Sequence, residues 1–97
     1  MNLVFKALAD PTRRAVLKLL RERAMTAGEI AEHFPFSRPT MSGHFAILAA
    51  AGLVEREKLG ANVVYRLKIS VLEDLLLHMM TAYDLHRRTD SSGDEPT

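Results

Sequence analysis

With 97 residues, 47% of them hydrophobic and 26% charged, the chain has the length for one domain around a single core. It contains no cysteine, which excludes disulfides, thiolate metal sites and cysteine nucleophiles together. The net charge of +1 conceals an asymmetry: eleven Lys and Arg face six Asp and Glu in residues 1–68, whereas two face six in residues 69–97, giving +5 and −4. A basic segment of this kind suits phosphate binding, although mild segmental imbalance is also common in chains that bind no nucleic acid.

The opening Met1-Asn2-Leu3-Val4-Phe5-Lys6 has no apolar run long enough for a signal peptide, and nowhere does the sequence approach the ~18 apolar residues of a membrane span. A cytoplasmic protein without a membrane partner is therefore expected. Leu3 to Leu8 reads as a short first helix. Asp10 as N-cap and Pro11 at the first helical position start a second, with Val16, Leu17, Leu19 and Leu20 on its buried face and Lys18, Arg21, Glu22 and Arg23 in solvent.

Between Thr26 and Gly52 the pattern is helix, tight turn, helix. Thr26 with Glu29 forms a capping box, and Pro35 after Phe34 marks where that helix must stop. Ser37 caps the next helix, Pro39 falls in its first turn, and Met41, Phe45 and Leu48 recur at i, i+4, i+7 as a core stripe. Away from that stripe lie Arg38, Thr40, Ser42 and His44, side chains of a size that approaches base edges when such a helix enters a major groove. Each has a structural alternative: a cap or turn role for Thr40 and Ser42, and packing under the wing for His44.

Gly52 sits where a left-handed helix C-cap is wanted. Val54-Glu55-Arg56-Glu57-Lys58 and Val63-Val64-Tyr65-Arg66-Leu67 flank Leu59-Gly60-Ala61-Asn62 as a two-stranded hairpin. Ser70 with Glu73 predicts a capping box opening a last helix to about His86, and the polar, acidic residues 89–97 are expected to be disordered, leaving residues 1–88 as the folded domain. At 100° per residue, Val71, Leu72, Leu75, Leu76, Met79, Met80, Ala82, Tyr83 and Leu85 cover roughly half of that helix, more than the ~100° stripe that one core needs. A second copy of the chain is the simplest cover for the excess.

Helices followed by a hairpin directly after the reading helix make a winged helix-turn-helix, a mainly α (α+β) fold with about five helices and a two-stranded wing. Ala7-Leu8-Ala9-Asp10-Pro11-Thr12-Arg13-Arg14, Ser37-Arg38-Pro39-Thr40-Met41-Ser42 with His44, Ala51-Gly52-Leu53-Val54 and Val64-Tyr65-Arg66-Leu67 resemble the ArsR family of bacterial repressors, nearest its SdpR-like autorepressors. The resemblance spans about residues 3–86. It implies a homodimer on a palindromic operator, with the first and last helices at the interface: Leu3, Val4, Leu72, Leu76, Met79, Met80 and Tyr83. DNA contacts are then expected from Arg38, Thr40, Ser42 and His44, with Arg56, Lys58 and Asn62 on the wing and Arg13 and Arg14 near the second helix, the last two being as well explained by structural pairing.

Two departures bear on function. Gly43 and Ala46 stand where many relatives carry a basic residue, and the wing tip Gly60-Ala61-Asn62 lacks the arginine that often follows its glycine. The metal-sensing patterns of the family are also incomplete. No Cys-x-Cys is present, Asp84-Leu85-His86 supplies only half of the last-helix zinc pattern, and Asp74 with His78 is a single i, i+4 pair. No cofactor or metal ligand set is therefore assigned, and a repressor without a metal effector, released by a protein partner if by any, is the expectation. The alternatives are a metal-responsive repressor or a winged helix that binds only protein. Catalysis is not expected, because His33, His44, His78 and His86 are scattered without a nucleophile or converging carboxylates.

Overall fold

The structure, a computed structural model, describes residues 2–84. Its elements run α1 (Asn2–Leu8), α2 (Pro11–Leu20), β1 (Met25–Thr26), α3 (Ala27–Ala31), α4 (Arg38–Ala50), β2 (Val54–Leu59), β3 (Asn62–Leu67) and α5 (Ile69–Ala82). Met1, Leu85, His86 and the expected tail at residues 89–97 lie outside the described residues.

Local chemistry sets most of the boundaries. The Asp10 carboxylate accepts the Arg13 backbone N–H at 3.1 Å and Pro11 follows at the first helical position, which starts α2. That hydrogen bond holds the Asp10 carboxyl below the usual aspartate range. At α3 both halves of the capping box form: Thr26 Oγ1 accepts the Glu29 N–H at 3.0 Å and Glu29 Oε1 accepts the Thr26 N–H at 2.8 Å. Helix α3 is shorter than Pro35 requires, because its last turn tightens: His33 and Phe34 donate to the Ile30 and Ala31 carbonyls, three residues back.

Helix α4 ends in a Schellman motif. Gly52, at φ +76°, donates to the Ala49 carbonyl and Leu53 donates to that of Leu48. The chain then enters an antiparallel sheet of order β1-β3-β2, in which β2 and β3 are joined by the two-residue loop Gly60-Ala61 and Leu59 faces Asn62. The two-stranded wing is thus part of a three-stranded sheet. Met25 and Thr26 pair with Tyr65 and Val64, which ties the start of α3 to the hairpin.

The core lies where α1, α2 and α4 meet this sheet. Val16, Ile30, Met41, Leu48 and Leu53 are almost completely buried, and the Phe45 ring packs on Tyr65 with centroids 4.8 Å apart. Leu19 is only partly buried. Val4 belongs to this core at 5% exposure, so its expected place at a dimer interface is corrected: it faces its own domain.

The expected capping box at Ser70 and Glu73 does not form. Lys68 donates its backbone N–H to the Leu53 carbonyl at 2.9 Å, and with the strand ended there α5 begins at Ile69, so Ser70 falls inside the first turn; Lys68 is the N-cap and makes no side-chain cap bond. In α5 only Leu75 is fully buried. Leu3, Phe5, Ile69, Leu76, Leu77 and Tyr83, all on or beside α1 and α5, are six of the eight exposed large hydrophobics among the described residues.

Gly52 sets the joint between α4 and the wing under two constraints at once. Its φ is in the left-handed region, and a Cβ there would lie 3.2 Å from Val71 Cγ2 of α5. Gly52→Ala is expected to lower unfolding stability by about 1–2 kcal/mol, measured by urea titration with unchanged m-value.

Candidate nucleic-acid interface

Because Met41, Phe45 and Leu48 are locked into the core, the rotation of α4 about its axis is fixed. Stepping 100° per residue from that buried stripe, the most outward line consists of Pro39, Gly43, Ala46 and Ala50, all exposed. Arg38 and Ser42 lie on one flank of the line and Thr40 and His44 on the other. The sequence had suggested that these four form one outward face; they bracket a ridge of very small side chains instead. Nothing lies within 4 Å of the position a Gly43 Cβ would take.

The four differ in how far they are committed elsewhere. Arg38 is exposed and makes no hydrogen bond or ion pair among the described residues, and Ser42 is likewise open. Thr40 joins the helix cap: Ser37 Oγ accepts its backbone N–H at 3.2 Å and donates to its Oγ1 at 3.0 Å. His44 is turned toward the α1–α2 corner rather than under the wing. Its Nδ1 lies 3.2 Å from Arg13 Nη1 and 3.9 Å from the Asp10 carboxylate.

Arg13 is the main departure from the sequence expectation. It is 9% exposed and spends its guanidinium inside the fold, donating from Nε to the Ala7 carbonyl at 2.9 Å and from Nη2 to that of Lys6 at 2.7 Å. Arg14 Nη1 donates to the Leu8 carbonyl at 2.8 Å from an exposed position. Together they satisfy the carbonyls at the C-terminus of α1, where cations are also favoured by the helix dipole.

On the wing, the strand pairing sorts the charges by face. Arg56 and Lys58 lie opposite Tyr65 and Val63, on the side of the sheet whose Tyr65 packs against α4. Glu55, Glu57 and Arg66 occupy the other side, where Arg66 Nη1 donates to Glu57 Oε1 at 2.6 Å. Asn62 is exposed at the hairpin tip. The wing therefore presents its uncompensated cations on the α4 side.

Asp74 and His78 are exposed on α5, and no group of three or more His, Asp or Glu placed to hold a metal ion occurs among the described residues. Of the expected zinc half-pattern, Asp84 is described and His86 is not. With no cysteine in the chain, the thiolate sites of the family's metal sensors have no donors here. No helix among the described residues is long and apolar enough to cross a membrane.

Residues 8–57 match the family described as helix-turn-helix domain. The chain is 46% identical over 80 residues to the transcriptional repressor SdpR of Bacillus subtilis, covering 82% of this chain and 89% of that one. It is 33% identical over 79 residues to an arsenical resistance operon repressor of Staphylococcus aureus, covering 81% and 76%. The crystal structure of an ArsR family transcriptional regulator superposes with a TM-score of 0.82 at 29% identity, over 89% of this chain and 94% of that one. With the helix-turn-helix and wing described above, these similarities place the chain: it belongs to the ArsR family of winged helix-turn-helix transcriptional repressors, in its SdpR-like group, whose members are DNA-binding regulators and not enzymes.

Proposed function

We propose that the protein is a cytoplasmic, sequence-specific repressor that binds an inverted-repeat operator as a homodimer and needs no metal effector. The observation that carries this is the outward ridge of α4: with Pro39, Gly43 and Ala46 at its crest, the helix backbone can approach the floor of a major groove closely. Short side chains on its flanks, Ser42 and Thr40, then reach base edges, while Arg38 is placed for phosphate. Arg56, Lys58 and Asn62 add wing contacts, and Arg14 keeps enough exposure to add another. Arg13 is assigned to the fold instead, since its donors are already taken.

The second copy is supported by the apolar load on α1 and α5. Leu76 is 61% exposed and Tyr83 67% exposed in the single chain, beside partly buried Leu72, Met79 and Met80 and with Leu3 on α1. Burying a leucine fully contributes about 1.5–3 kcal/mol, so a few such residues per protomer suffice to drive association. A two-fold pair presents two α4 helices to successive major grooves, about 34 Å apart, and so calls for half-sites about one turn apart. Wild type is expected to sediment as a dimer at micromolar concentration. Leu76→Asp should sediment as a monomer with its helical circular dichroism retained, because the carboxylate is tolerated in solvent but not in an interface.

Two substitutions separate base reading from phosphate binding. Ser42→Ala is expected to relax base preference by about 1 kcal/mol of discrimination, the scale of one neutral hydrogen bond. Arg38→Ala should instead weaken all sequences alike and lower the slope of log K against log salt by about one unit. Binding isotherms on a selected operator and on scrambled duplex, each at several salt concentrations, check both; no change in either variant would remove α4 as the reader.

Release is assigned to protein level or to a competing protein partner, since the sequence has no cysteine and only half of the last-helix zinc pattern. Operator affinity is expected to be equal in stoichiometric zinc and in chelator. A tenfold weakening by zinc, about 1.4 kcal/mol of coupling, would restore the metal-responsive alternative.

A further inference from the structure

The geometry points to Arg13 as a positioning residue for DNA binding, acting through the protonation pattern of His44. Arginine carries only donors and stays charged, so the 3.2 Å approach of Nη1 to His44 Nδ1 is a hydrogen bond only if Nδ1 offers its lone pair. The imidazole is then neutral, with its proton on Nε2. The Asp10 carboxylate stands 3.9 Å from Nδ1, beyond hydrogen-bond distance, so the Arg13 contact is the one that orients this nitrogen.

The other ring nitrogen is open. Among the described residues no buried side-chain nitrogen or oxygen lacks a hydrogen-bond partner, and Nε2 makes no bond within the fold, so it reaches solvent from a side chain that is 16% exposed. Arg13 thus converts a histidine, which in isolation exchanges between two tautomers, into a fixed outward N–H donor on the flank of α4 beside Thr40. Resting on the proposal that α4 reads DNA, the donor is assigned to a phosphate oxygen at the edge of the groove. The same guanidinium holds the Lys6 and Ala7 carbonyls, so the direction of that donor is referenced to the end of α1.

Two substitutions divide the ring into its halves. His44→Asn keeps an acceptor near Nδ1 for Arg13 and loses the outward donor, whereas His44→Gln keeps an amide N–H at the reach of Nε2. Expected are operator binding about tenfold weaker for His44→Asn, within about twofold of wild type for His44→Gln, and an unchanged salt slope in both, because a neutral donor releases no counterion. Nitrogen-15 NMR of the imidazole in the free protein should show the Nε2–H tautomer, giving way to a mixture in Arg13→Met. The inference is overturned by equal losses in the Asn and Gln variants, by a slope reduced by about one unit, which would mark a charged imidazole on phosphate, or by an Nδ1–H or doubly protonated ring in wild type near neutral pH. The NMR result on wild type decides the tautomer even if Arg13→Met does not fold. Normal binding by His44→Asn with weakened binding by Arg38→Ala would overturn the His44 donor and leave α4 as the reader; normal binding by both would overturn the two together.

Discussion

One helix has to do two incompatible things in this domain, and the placement of everything else follows from that. Helix α4 surrenders Met41, Phe45 and Leu48 wholly to the core, which fixes its rotation, and leaves the opposite line almost bare of side chains. This helix of thirteen residues carries Gly43 in its interior, which costs about 1 kcal/mol against alanine. Rigidity is supplied from outside. Ser37 caps its start, the Schellman motif at Gly52 closes its end, Phe45 lies on Tyr65 of the sheet, and Arg13 reaches it through His44.

Electrostatics repeats the division. The far side of the wing neutralises itself through Glu57 and Arg66, while Arg56 and Lys58 remain on the side that faces α4. Two of the cations nearest α1 are instead drawn to helix carbonyls, Arg13 fully and Arg14 in part. Segment-level charge counts weight all of these equally, and therefore overstate the cations available to phosphate. A mildly basic half with its free charges on one side is still a workable footprint for DNA, since phosphate affinity depends on where the cations are held and not only on their number.

The parts of the fold that were legible in the sequence are those decided within four residues. Asp10 with Pro11, Thr26 with Glu29, Ser37 with Pro39, and Gly52 each act through a hydrogen bond or a backbone angle local to themselves, and each does so in the structure. What could not be read depends on contacts distant in sequence. Strand β1 is two residues long and exists because Tyr65 and Val64 come to lie beside it. The start of α5 is set by Leu53 reaching Lys68, which displaced the local signal at Ser70. In the candidate interface the residue types on α4 were visible, but the inward turn of Arg13 and His44 required knowing that α1 ends against them.

Helix α5 carries the apolar surface on which the proposed homodimer rests. It is the most apolar helix by its run of Leu72, Leu75, Leu76, Leu77, Met79 and Met80, yet its own domain fully buries only Leu75. The core is filled by Val16, Ile30, Leu48 and Leu53, and among the described residues Leu76, Leu77 and Tyr83 are left exposed. Val71 beside Gly52 and Leu72 and Met79 at the core margin hold α5 against its own body. In the proposed homodimer, docking of α5 and association are linked by mass action, so a change that weakens the α4–wing joint at Gly52 is felt at the interface as well, through the Val71 contact that seats α5.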